Sequence, residues 1–476
     1  MSPIPDYRIL NRSTLTVMHF IILFLLLLPF SCRKIAENTE TTVKPTISEI
    51  LSRPTGSSVT INLLSDMNTE VFWEYGTTAG SYPLMTEVSS TTKDNPSESV
   101  LQNLTSGTKY YYRTRYRVKG RQVIFNTGSE YTFQTWRPAG NSFKFAIEAD
   151  PHLDTNSDTA AFALTLRNIA AANPDFLIDL GDTFMSEKLP VPITQSDITG
   201  RHLLLRSYFN RICHSVPLYL VLGNHEGELG WRKDGSITSL PVMAANTRKL
   251  YFSNPLPDQF YSGNIKIETN VGLRQNYYAW EWGDALFVVL DPYWSSAVKS
   301  GWGFSLGREQ YDWFKYVVSN SQARFKFVFC HNLVGGNGND MRGGAEFVDL
   351  FEMGGYNTDG SWGFDANRTG WGKPLHTIMK ENNVTIFFHG HDHFYGKQEK
   401  DGLIYQEVPQ PSNRNITNIS ASDYGYVDGI LLPGRGFLLV TVSALEVKVE
   451  YIGTILPGEE NASRKNTSVI DTYTIN

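Results

Sequence analysis

The chain has 476 residues, of which 41% are hydrophobic and 13% are aromatic, so it can form two or three domains with full-sized cores. This is the composition of an ordinary globular protein rather than of a disordered or fibrous one. The formal net charge of -6 provides no basic surface for nucleic acid, and we expect no nucleic-acid partner.

Residues 1–31 have the pattern of a signal peptide. Arg8 and Arg12 precede an apolar run from Phe20 to Phe30, which is shorter than the roughly 20 residues that a membrane-spanning helix needs. A cysteine directly after a small residue, as in Ser31-Cys32, resembles a bacterial lipoprotein signal with Cys32 as the acylated residue. An ordinary secretory signal and an uncleaved anchor stay open as alternatives, and all three predict an exported protein. We expect lipid attachment to the bacterial cell envelope, in the periplasm or at the cell surface.

Cys213 and Cys330 are the remaining cysteines. They could pair in an exported protein, but Cys330 ends an apolar run that begins at Phe327. We therefore predict buried free thiols rather than a disulfide framework.

Residues 32–44 are polar and read as a linker, and residues 45–136 show short alternating strands. Alternation with a period of two is clear at Val59 to Leu63, Val71 to Tyr75 and Tyr110 to Val118. This pattern predicts a small antiparallel β-sandwich. The run from Leu104 to Tyr112 resembles that of a fibronectin type III module. No catalytic cluster is found in this part, which favours a spacer or binding role.

From residue 141 to residue 476 the pattern changes to apolar runs that each end in polar residues. Five runs lead to Asp150-Pro-His152, Gly181-Asp182, Gly223-Asn-His-Glu226, His331-Asn332 and Gly390-His-Asp-His393. A sixth run ends at Asp291, and strand-like runs return from Phe437 to Tyr451. Helix-like segments such as 159–172 and 308–320 lie between them, so we predict an α/β domain over residues 141–476. In such folds, sites form at the carboxyl ends of the strands.

The polar residues at these strand ends are suited to metal binding. They include five of the ten histidines, and the full set is Asp150, His152, Asp182, Asn224, His225, His331, His391 and His393. Imidazole, carboxylate and amide groups together suit Zn, Mn or Fe. The set is too large for one ion, and it predicts two metal ions sharing a carboxylate, about 3.5–4 Å apart.

These five motifs, in this order, resemble the calcineurin-like metallophosphoesterase superfamily, and the preceding β-sandwich resembles the N-terminal domain of purple acid phosphatases. The resemblance implies a four-layer αββα sandwich. It also implies that Asp150, His152, Asp182 and His393 hold one metal ion. By the same resemblance, Asp182, Asn224, His331 and His391 hold a second ion, with Asp182 as the bridge.

The resemblance also implies roles in catalysis. His225 is expected over the substrate phosphate, where it stabilises charge or protonates the leaving oxygen, and Asn224 also contacts substrate. The implied nucleophile is a metal-bound hydroxide, to which Asp182 contributes as the bridging ligand. Two departures from purple acid phosphatases stand out: Met185 replaces their metal-binding tyrosine, and His152 replaces a glycine. We therefore expect no tyrosinate charge-transfer band.

Three further residues near the motifs have open roles. Asn332 directly follows His331 and is a candidate for substrate contact. Arg342, in a long loop region between Gly335 and Gly372, could clamp a phosphate or form a structural salt bridge. His389 has apolar neighbours, which favour a core or supporting position over metal ligation.

We interpret the chain as a dinuclear metal-dependent phosphoesterase that hydrolyses phosphomonoesters. A phosphodiesterase or nucleotidase is the alternative within the same metal core. A non-catalytic surface binding protein is the alternative from another class, and the completeness of the motif argues against it.

Overall fold

A computed structural model describes residues 44–121, 124–337 and 341–476 of the chain. The signal peptide, Cys32 and most of the linker lie outside the described residues. Among the described residues, no helix is both long enough and apolar enough to cross a membrane.

Residues 47–134 form an all-β region. Tyr, Trp and β-branched residues alternate along its strands, so one side of each strand is buried around Val71, Trp73 and Tyr112. One sheet has the order β1-β2-β6, and the other has the order β4-β3-β7-β8 with β5 also paired to β3. Its strands are β1 (Ile47–Ser52), β2 (Val59–Ser65), β3 (Thr69–Gly76), β4 (Leu84–Met85), β5 (Ser89–Thr91), β6 (Ser97–Leu101), β7 (Lys109–Val118) and β8 (Asn126–Gln134).

The rest of the chain builds two larger sheets. The first has the order β11-β10-β9-β22-β23-β24, and the second has the order β12-β15-β16-β17-β18-β20-β19-β21. Their strands, with the small pair β13-β14, are β9 (Phe143–Glu148), β10 (Phe176–Asp179), β11 (Leu218–Leu220), β12 (Ser262–Gly263), β13 (Ile267–Glu268), β14 (Gly272–Leu273), β15 (Tyr278–Trp282), β16 (Ala285–Val289), β17 (Phe325–Phe329), β18 (Ile386–His389), β19 (Tyr395–Lys400), β20 (Leu403–Glu407), β21 (Ile430–Leu432), β22 (Gly436–Val442), β23 (Val447–Gly453) and β24 (Val469–Ile475).

The central strands of both sheets are parallel, as continuous apolar runs predict. Strand β9 pairs parallel to β10, and β10 pairs parallel to β11. In the second sheet, β16, β17, β18 and β20 are parallel to one another. All carboxyl ends of the parallel strands in one sheet therefore meet at one edge.

The helices cover the outer faces of the two sheets. They are α1 (Thr159–Ala172), α2 (Gln195–Phe209), α3 (Leu240–Tyr251), α4 (Arg308–Asn320), α5 (Phe351–Gly354), α6 (Phe364–Asn367) and α7 (Leu375–Glu381). The bounds of α1 and α4 agree with the helical segments expected from the sequence. Asp158 caps α1 by accepting hydrogen bonds from the backbone of Ala160 and Ala161, which fixes where that helix begins.

Three hydrophobic cores lie between the layers of helices and sheets in the α/β part. Phe145, Phe287 and Phe329 belong to a buried core made by the facing sides of both large sheets. Phe314 of α4 packs with the outer side of the second sheet, and Phe162 of α1 packs with the outer side of the first. The order is thus helix, sheet, sheet, helix, the mixed α/β architecture expected from the sequence, preceded by an all-β region.

The all-β region packs against the α/β part, and residues 44–476 form one compact unit. Arg206 of α2 donates to the side-chain oxygen of Asn62 at 2.7 Å, and the hydroxyl of Tyr112 donates to the carbonyl of His214 at 2.7 Å. The domain bounds 45–136 and 141–476 and the fibronectin type III resemblance stay predictions. Cys213 and Cys330 are buried free thiols, as the sequence predicted.

Candidate metal centre

The strand-end residues of the two large sheets come together in one place. Asp150 and His152 follow β9, and Asp182 follows β10. The remaining members follow β11, β17 and β18, and they are Asn224, His225, His331, His391 and His393. Side chains that are up to 243 positions apart in sequence converge because these strands end at one edge of the sandwich.

The glycines of the motifs allow this close approach. A Cβ atom at Gly181 would lie 2.7 Å from the backbone nitrogen of Gly223, and one at Gly223 would lie 2.3 Å from Oδ1 of Asp182. A Cβ atom at Gly390 would lie 2.6 Å from Oδ2 of Asp150. Any side chain at these positions would therefore collide with the site itself.

The backbone of the candidate ligands is held in an unusual conformation. The φ angle is positive at Asp150 (59°), His152 (50°), Asp182 (54°), His391 (80°) and His393 (67°). Each such residue costs on the order of 1–3 kcal/mol, and strain of this kind concentrates at functional sites. The surrounding structure therefore maintains the direction of these side chains at a cost to stability.

Two groups of side chains have the spacing of metal ligands. The first is Asp150, His152 and His393, and the second is Asp182, His331 and His391; within each group the candidate ligand atoms lie within 4.8 Å of one another. Oδ1 of Asp150 lies 3.6 Å from Nε2 of His152 and 3.4 Å from Nε2 of His393.

Asp182 lies between the two groups. Its Oδ2 atom is 3.2 Å from Nε2 of His331 and 3.7 Å from Nε2 of His152. Its Oδ1 atom accepts a hydrogen bond from the backbone of His225 at 2.8 Å. One carboxylate oxygen is thus used inside the protein, and the other faces imidazoles from both groups.

Several atoms of this cluster are suited to binding a cation. Among the described residues, Oδ1 of Asp150, Nε2 of His152, Oδ1 of Asn224 and Nε2 of His331 are buried and have no hydrogen-bond partner. Nδ1 of His331 contacts the carbonyl of Leu180 at 2.9 Å, so its Nε2 atom is the one directed into the site. Because buried polar atoms are normally paired, these atoms are where a metal ion would supply the missing bonds.

The electrostatics of the cluster agree with this. Burial by itself raises the pKa values of Asp150 and Asp182, but neighbouring histidines lower both below the usual range. Burial lowers the pKa of His331, yet Asp182 and Asp150 outweigh it and raise the pKa to about 10. The two carboxylates are therefore stabilised by nearby positive charge, which bound metal ions would supply in place of protons on the histidines.

His225 borders the cluster, and its orientation is set by residues that the sequence analysis missed. Its Nδ1 atom lies 3.1 Å from Oε2 of Glu187, and its Nε2 atom lies 3.8 Å from Oδ2 of Asp182. Oε1 of Glu187 accepts from Arg232 at 3.0 Å. Glu187 lies only five positions after Asp182, but nothing in the sequence pairs it with His225.

Two more carboxylates support the ligand loops. Glu226, the last residue of the Gly-Asn-His-Glu motif, accepts from the backbone of Asp182 at 3.1 Å and of Thr183 at 2.6 Å. Glu407 accepts from the backbone of Asp392 at 3.0 Å and of His393 at 3.2 Å. The place of Glu226 in the motif was a sequence signal for such a role, whereas Glu407 had none.

His389 is buried, and its Nδ1 atom lies 2.7 Å from Oε2 of Glu407. It therefore takes the supporting position expected from its apolar neighbours.

Asn332 and Arg342 differ in their access to the site. The side-chain oxygen of Asn332 accepts from the hydroxyl of Tyr293, and its amide nitrogen donates to the carbonyl of Leu333 at 2.8 Å. Asn332 is only 2% exposed, so its amide serves the protein interior and substrate contact has no geometric support. Arg342 forms a salt bridge of 2.8 Å with Asp392 and also lines a cavity beside His391.

Two cavities border the cluster. One of about 180 Å³ is lined by Asn224, His225, Arg342 and His391. The other, of about 940 Å³, is lined by His152, His225 and His393 together with loop residues from 153–156 and 410–424. His225 contributes to both, so it lies where the two cavities approach each other.

The architecture is similar to that of two solved structures. The structure of PhoD is 14% identical, with a TM-score of 0.62, over 90% of this chain and 89% of PhoD. The purple acid phosphatase PPD1 from yellow lupin (Lupinus luteus) seeds is 15% identical, with a TM-score of 0.60, over 90% of this chain and 74% of the lupin chain. At this identity the likeness shows a common fold.

The sequence also matches a family model. Residues 143–395, which include every strand-end motif from Asp150 to His393, match the calcineurin-like phosphoesterase family. No curated protein matches the chain. Because the family model spans more than half of the sequence, the chain belongs to the calcineurin-like phosphoesterase family and is a metal-binding hydrolase of the metallophosphoesterase type.

Proposed function

We propose that the protein hydrolyses phosphomonoesters at a centre of two metal ions. The observation that carries the proposal is the position of Asp182, whose Oδ2 atom lies within 3.7 Å of imidazole nitrogens from both candidate metal groups. A carboxylate shared between two ions is the arrangement that a two-metal site needs.

The residues divide between the two ions as follows. Asp150, His152, His393 and Asp182 would hold the first ion, and Asp182, Asn224, His331 and His391 would hold the second. The unpartnered Oδ1 atom of Asn224 supports its place in the second set. This mixture of oxygen and nitrogen ligands suits Fe, Mn or Zn. When bound, such ions lower the pKa of water from about 15.7 towards neutrality and neutralise phosphoryl oxygens.

His225 would assist the departing alcohol. Its Nδ1 atom contacts Glu187, and its Nε2 atom lies 3.8 Å from Oδ2 of Asp182 and 3.2 Å from the amide nitrogen of Asn224. The residue lines both cavities. From there it can hold a proton beside the leaving oxygen and stabilise charge on the phosphoryl group. Arg342 lines the smaller cavity and adds positive charge on the side of His391. Asn332 is not assigned a contact with substrate. Its hydrogen bond to the carbonyl of Leu333 supports the loop after His331.

A phosphodiesterase is the second candidate, and the two cavities favour it. A diester has two organic groups, and space is available on both the His391 side and the His393 side of the cluster. A monoester needs only one of these cavities. The larger cavity borders His225, the residue that would donate a proton to the leaving alcohol.

Export and lipid attachment through Cys32 are part of the proposal. They are supported by the pattern of residues 1–32, with two arginines, an apolar run and a cysteine after a small residue. Mass spectrometry of the mature N-terminus would test them. A diacylglyceryl group on Cys32 is the expected result, and an unmodified N-terminus downstream of Cys32 would contradict it.

The function is tested on one purified sample lacking residues 1–32. Metal content is measured by elemental analysis, and hydrolysis of phenyl phosphate is compared with that of diphenyl phosphate, with and without added Mn, Zn or Fe. About two ions per chain, as a two-metal site requires, and turnover of phenyl phosphate are expected. Turnover of diphenyl phosphate alone would make the protein a phosphodiesterase. No bound metal and no turnover after reconstitution would overturn the proposal.

Substitutions at the site sharpen the test. Asn224→Ala and His225→Ala should both abolish hydrolysis and leave the fold intact by circular dichroism. They should differ in metal content, because only Asn224 is in a ligand set. A His225→Ala variant that is fully active would remove His225 from the mechanism.

A further inference from the structure

The larger cavity beside the metal centre has an unusual lining. Its volume is about 940 Å³, in the range of small-molecule sites. Apart from the metal-centre residues, it is lined largely by neutral polar side chains from two loops, namely Thr155, Asn156, Asn413, Asn415, Asn418 and Ser420. We call these six residues the amide wall.

The charged side chains around this cavity are engaged by the protein or lie towards solvent. Arg201 donates to the carbonyls of Phe184 at 2.8 Å and Leu153 at 3.0 Å. Asp392 accepts from Arg342 at 2.8 Å, and Asp154 accepts from the backbone of Asn156 at 2.8 Å and from the hydroxyl of Ser157 at 3.0 Å. Lys188 is half-exposed, and its Nζ atom lies 3.7 Å from Oε2 of Glu187, which offsets its charge. The cavity therefore offers little fixed charge to a second phosphate or to a carboxylate on the substrate.

The amide wall, in contrast, has free hydrogen-bonding groups. In the part of the chain that the structure describes, the side chains of Thr155, Asn156, Asn418 and Ser420 make no hydrogen bond to the protein. Asn415 uses its side-chain oxygen for the backbone of Asn418 at 3.1 Å, and no described residue accepts from its amide nitrogen. A ligand in this cavity would meet several donors and acceptors together.

Carboxamide and hydroxyl side chains both donate and accept hydrogen bonds, and so do the hydroxyls of a ligand. An apolar leaving group would leave these side chains without partners after it displaced their water, which lowers affinity. Ile419 and Tyr424, which also line the cavity, add apolar area suited to the C–H face of a sugar ring. The chemistry of the lining thus matches an uncharged group with many hydroxyls.

We propose that the natural substrate is a phosphate ester of a sugar or polyol, and that the amide wall binds the hydroxyls of this leaving group. The inference rests on the proposed function, because the amide wall lines the same cavity as His152, His225 and His393 of the candidate metal centre. In the reaction, water adds to phosphorus and the bond from phosphorus to the sugar oxygen breaks. The sugar oxygen takes up one proton, and the net products are the free alcohol and inorganic phosphate.

The test compares phosphate esters whose leaving groups carry several hydroxyls with esters whose leaving groups carry none. The metal-loaded enzyme is assayed with glucose 6-phosphate, with cyclohexylmethyl phosphate, which has the same ring size and no ring hydroxyls, and with phenyl phosphate. We expect kcat/KM for glucose 6-phosphate to exceed that for cyclohexylmethyl phosphate by at least about 10-fold, since two or more hydrogen bonds separate them. Sorbitol 6-phosphate, assayed alongside, distinguishes a cyclic sugar from a linear polyol.

The double variant Asn156→Ala/Asn418→Ala tests the wall itself. It should lower kcat/KM for glucose 6-phosphate by about 10-fold or more and leave that for phenyl phosphate within about twofold. Asn320→Ala, at an exposed asparagine of α4 outside this cavity, is the matched control and should change neither. An equal loss on all esters, or a wild-type preference for cyclohexylmethyl phosphate, would overturn the proposal. No turnover of any ester would instead overturn the phosphomonoesterase function on which it rests.

Discussion

Among the residues that the structure describes, two of the buried clusters of charged side chains differ in how their charges are balanced. The first is the metal centre around Asp150 and Asp182. The second, which we call the arginine cluster, consists of Glu228, Arg248, Arg274 and Asp291. The arginine cluster holds two cations and two carboxylates, whereas the two carboxylates of the metal centre face histidines, which carry charge only when protonated.

The difference is visible in the hydrogen bonds. Glu228 accepts from Arg248 at 2.5 Å and from Arg274 at 2.6 Å, and Asp291 accepts from Arg274 at 2.8 Å. Oδ1 of Asp150, by contrast, is buried without a hydrogen-bond partner in the described part of the chain. A buried charge that is balanced inside the protein stabilises one conformation, and a buried charge that is not balanced indicates a ligand.

The largest effect is expected from removing Asp182, the proposed shared ligand of the metal centre. Asp182→Ala should lower kcat/KM for phenyl phosphate by at least about 10³-fold, because in the proposed two-metal centre both ions would lose a ligand. Elemental analysis should show less metal, and circular dichroism should show an intact fold. Asp312→Ala, at an exposed aspartate of α4, is the control and should keep full activity. Activity within tenfold of wild type would show that Asp182 is not shared.

A substitution in the arginine cluster should lower the stability of the fold rather than the metal content or the turnover. Glu228→Gln leaves two buried arginines with less negative charge and should lower the free energy of unfolding by about 3–5 kcal/mol at pH 7. Chemical denaturation measures this change. The folded fraction should keep its metal content and its turnover. Loss of metal without loss of stability would place Glu228 in the metal centre.

The pH dependence of this effect follows from the same contacts. Burial raises the pKa of Glu228, but Arg248 and Arg274 outweigh it and lower the pKa to about 2. In the unfolded chain the pKa is about 4.3, so the carboxylate stabilises the fold above that pH, and the contribution is lost as the pH falls towards about 2. The difference in unfolding free energy between wild type and Glu228→Gln should therefore narrow between pH 4.5 and pH 2. A constant difference would contradict the assignment.

A smaller effect is expected from the carboxylate that supports the metal loops. Glu226 accepts from the backbone of Asp182, Thr183 and Phe184, and Glu226→Gln would place an amide donor against these donors. We expect metal affinity to fall by about 10–100-fold, as measured by competition with a chelator. Glu187→Gln is the comparison, because Glu187 contacts His225 and not a candidate metal ligand. Equal affinities for wild type and Glu226→Gln would rule out the supporting role.

The smallest effect concerns the orientation of His225. Glu187→Gln should lower kcat by about 10-fold, less than the loss of a general acid itself. The loss should be larger for alkyl phosphates than for phenyl phosphate, because an alkoxide depends more on receiving a proton. A purely structural role of Glu187 would lower turnover of both esters by the same factor. Metal content should not change.

The sequence determined much of the fold because its signals are local. Apolar runs predicted β9, β10, β17 and β18, and the helix-like segments between them predicted α1 and α4. The ligand types at the strand ends predicted the metal centre, since parallel strands bring their carboxyl ends together whatever lies between them.

Only the tertiary structure decided the contacts between residues that belong to no common sequence pattern. Glu407 lies beside His389 because β20 pairs with β18, and Arg274 reaches Glu228 across 46 positions. Asn332, next to a ligand in sequence, turns into the interior because Tyr293 and Leu333 bind its amide. The sequence thus determines which groups stand at a strand end, but the direction and partners of each side chain depend on packing between distant segments.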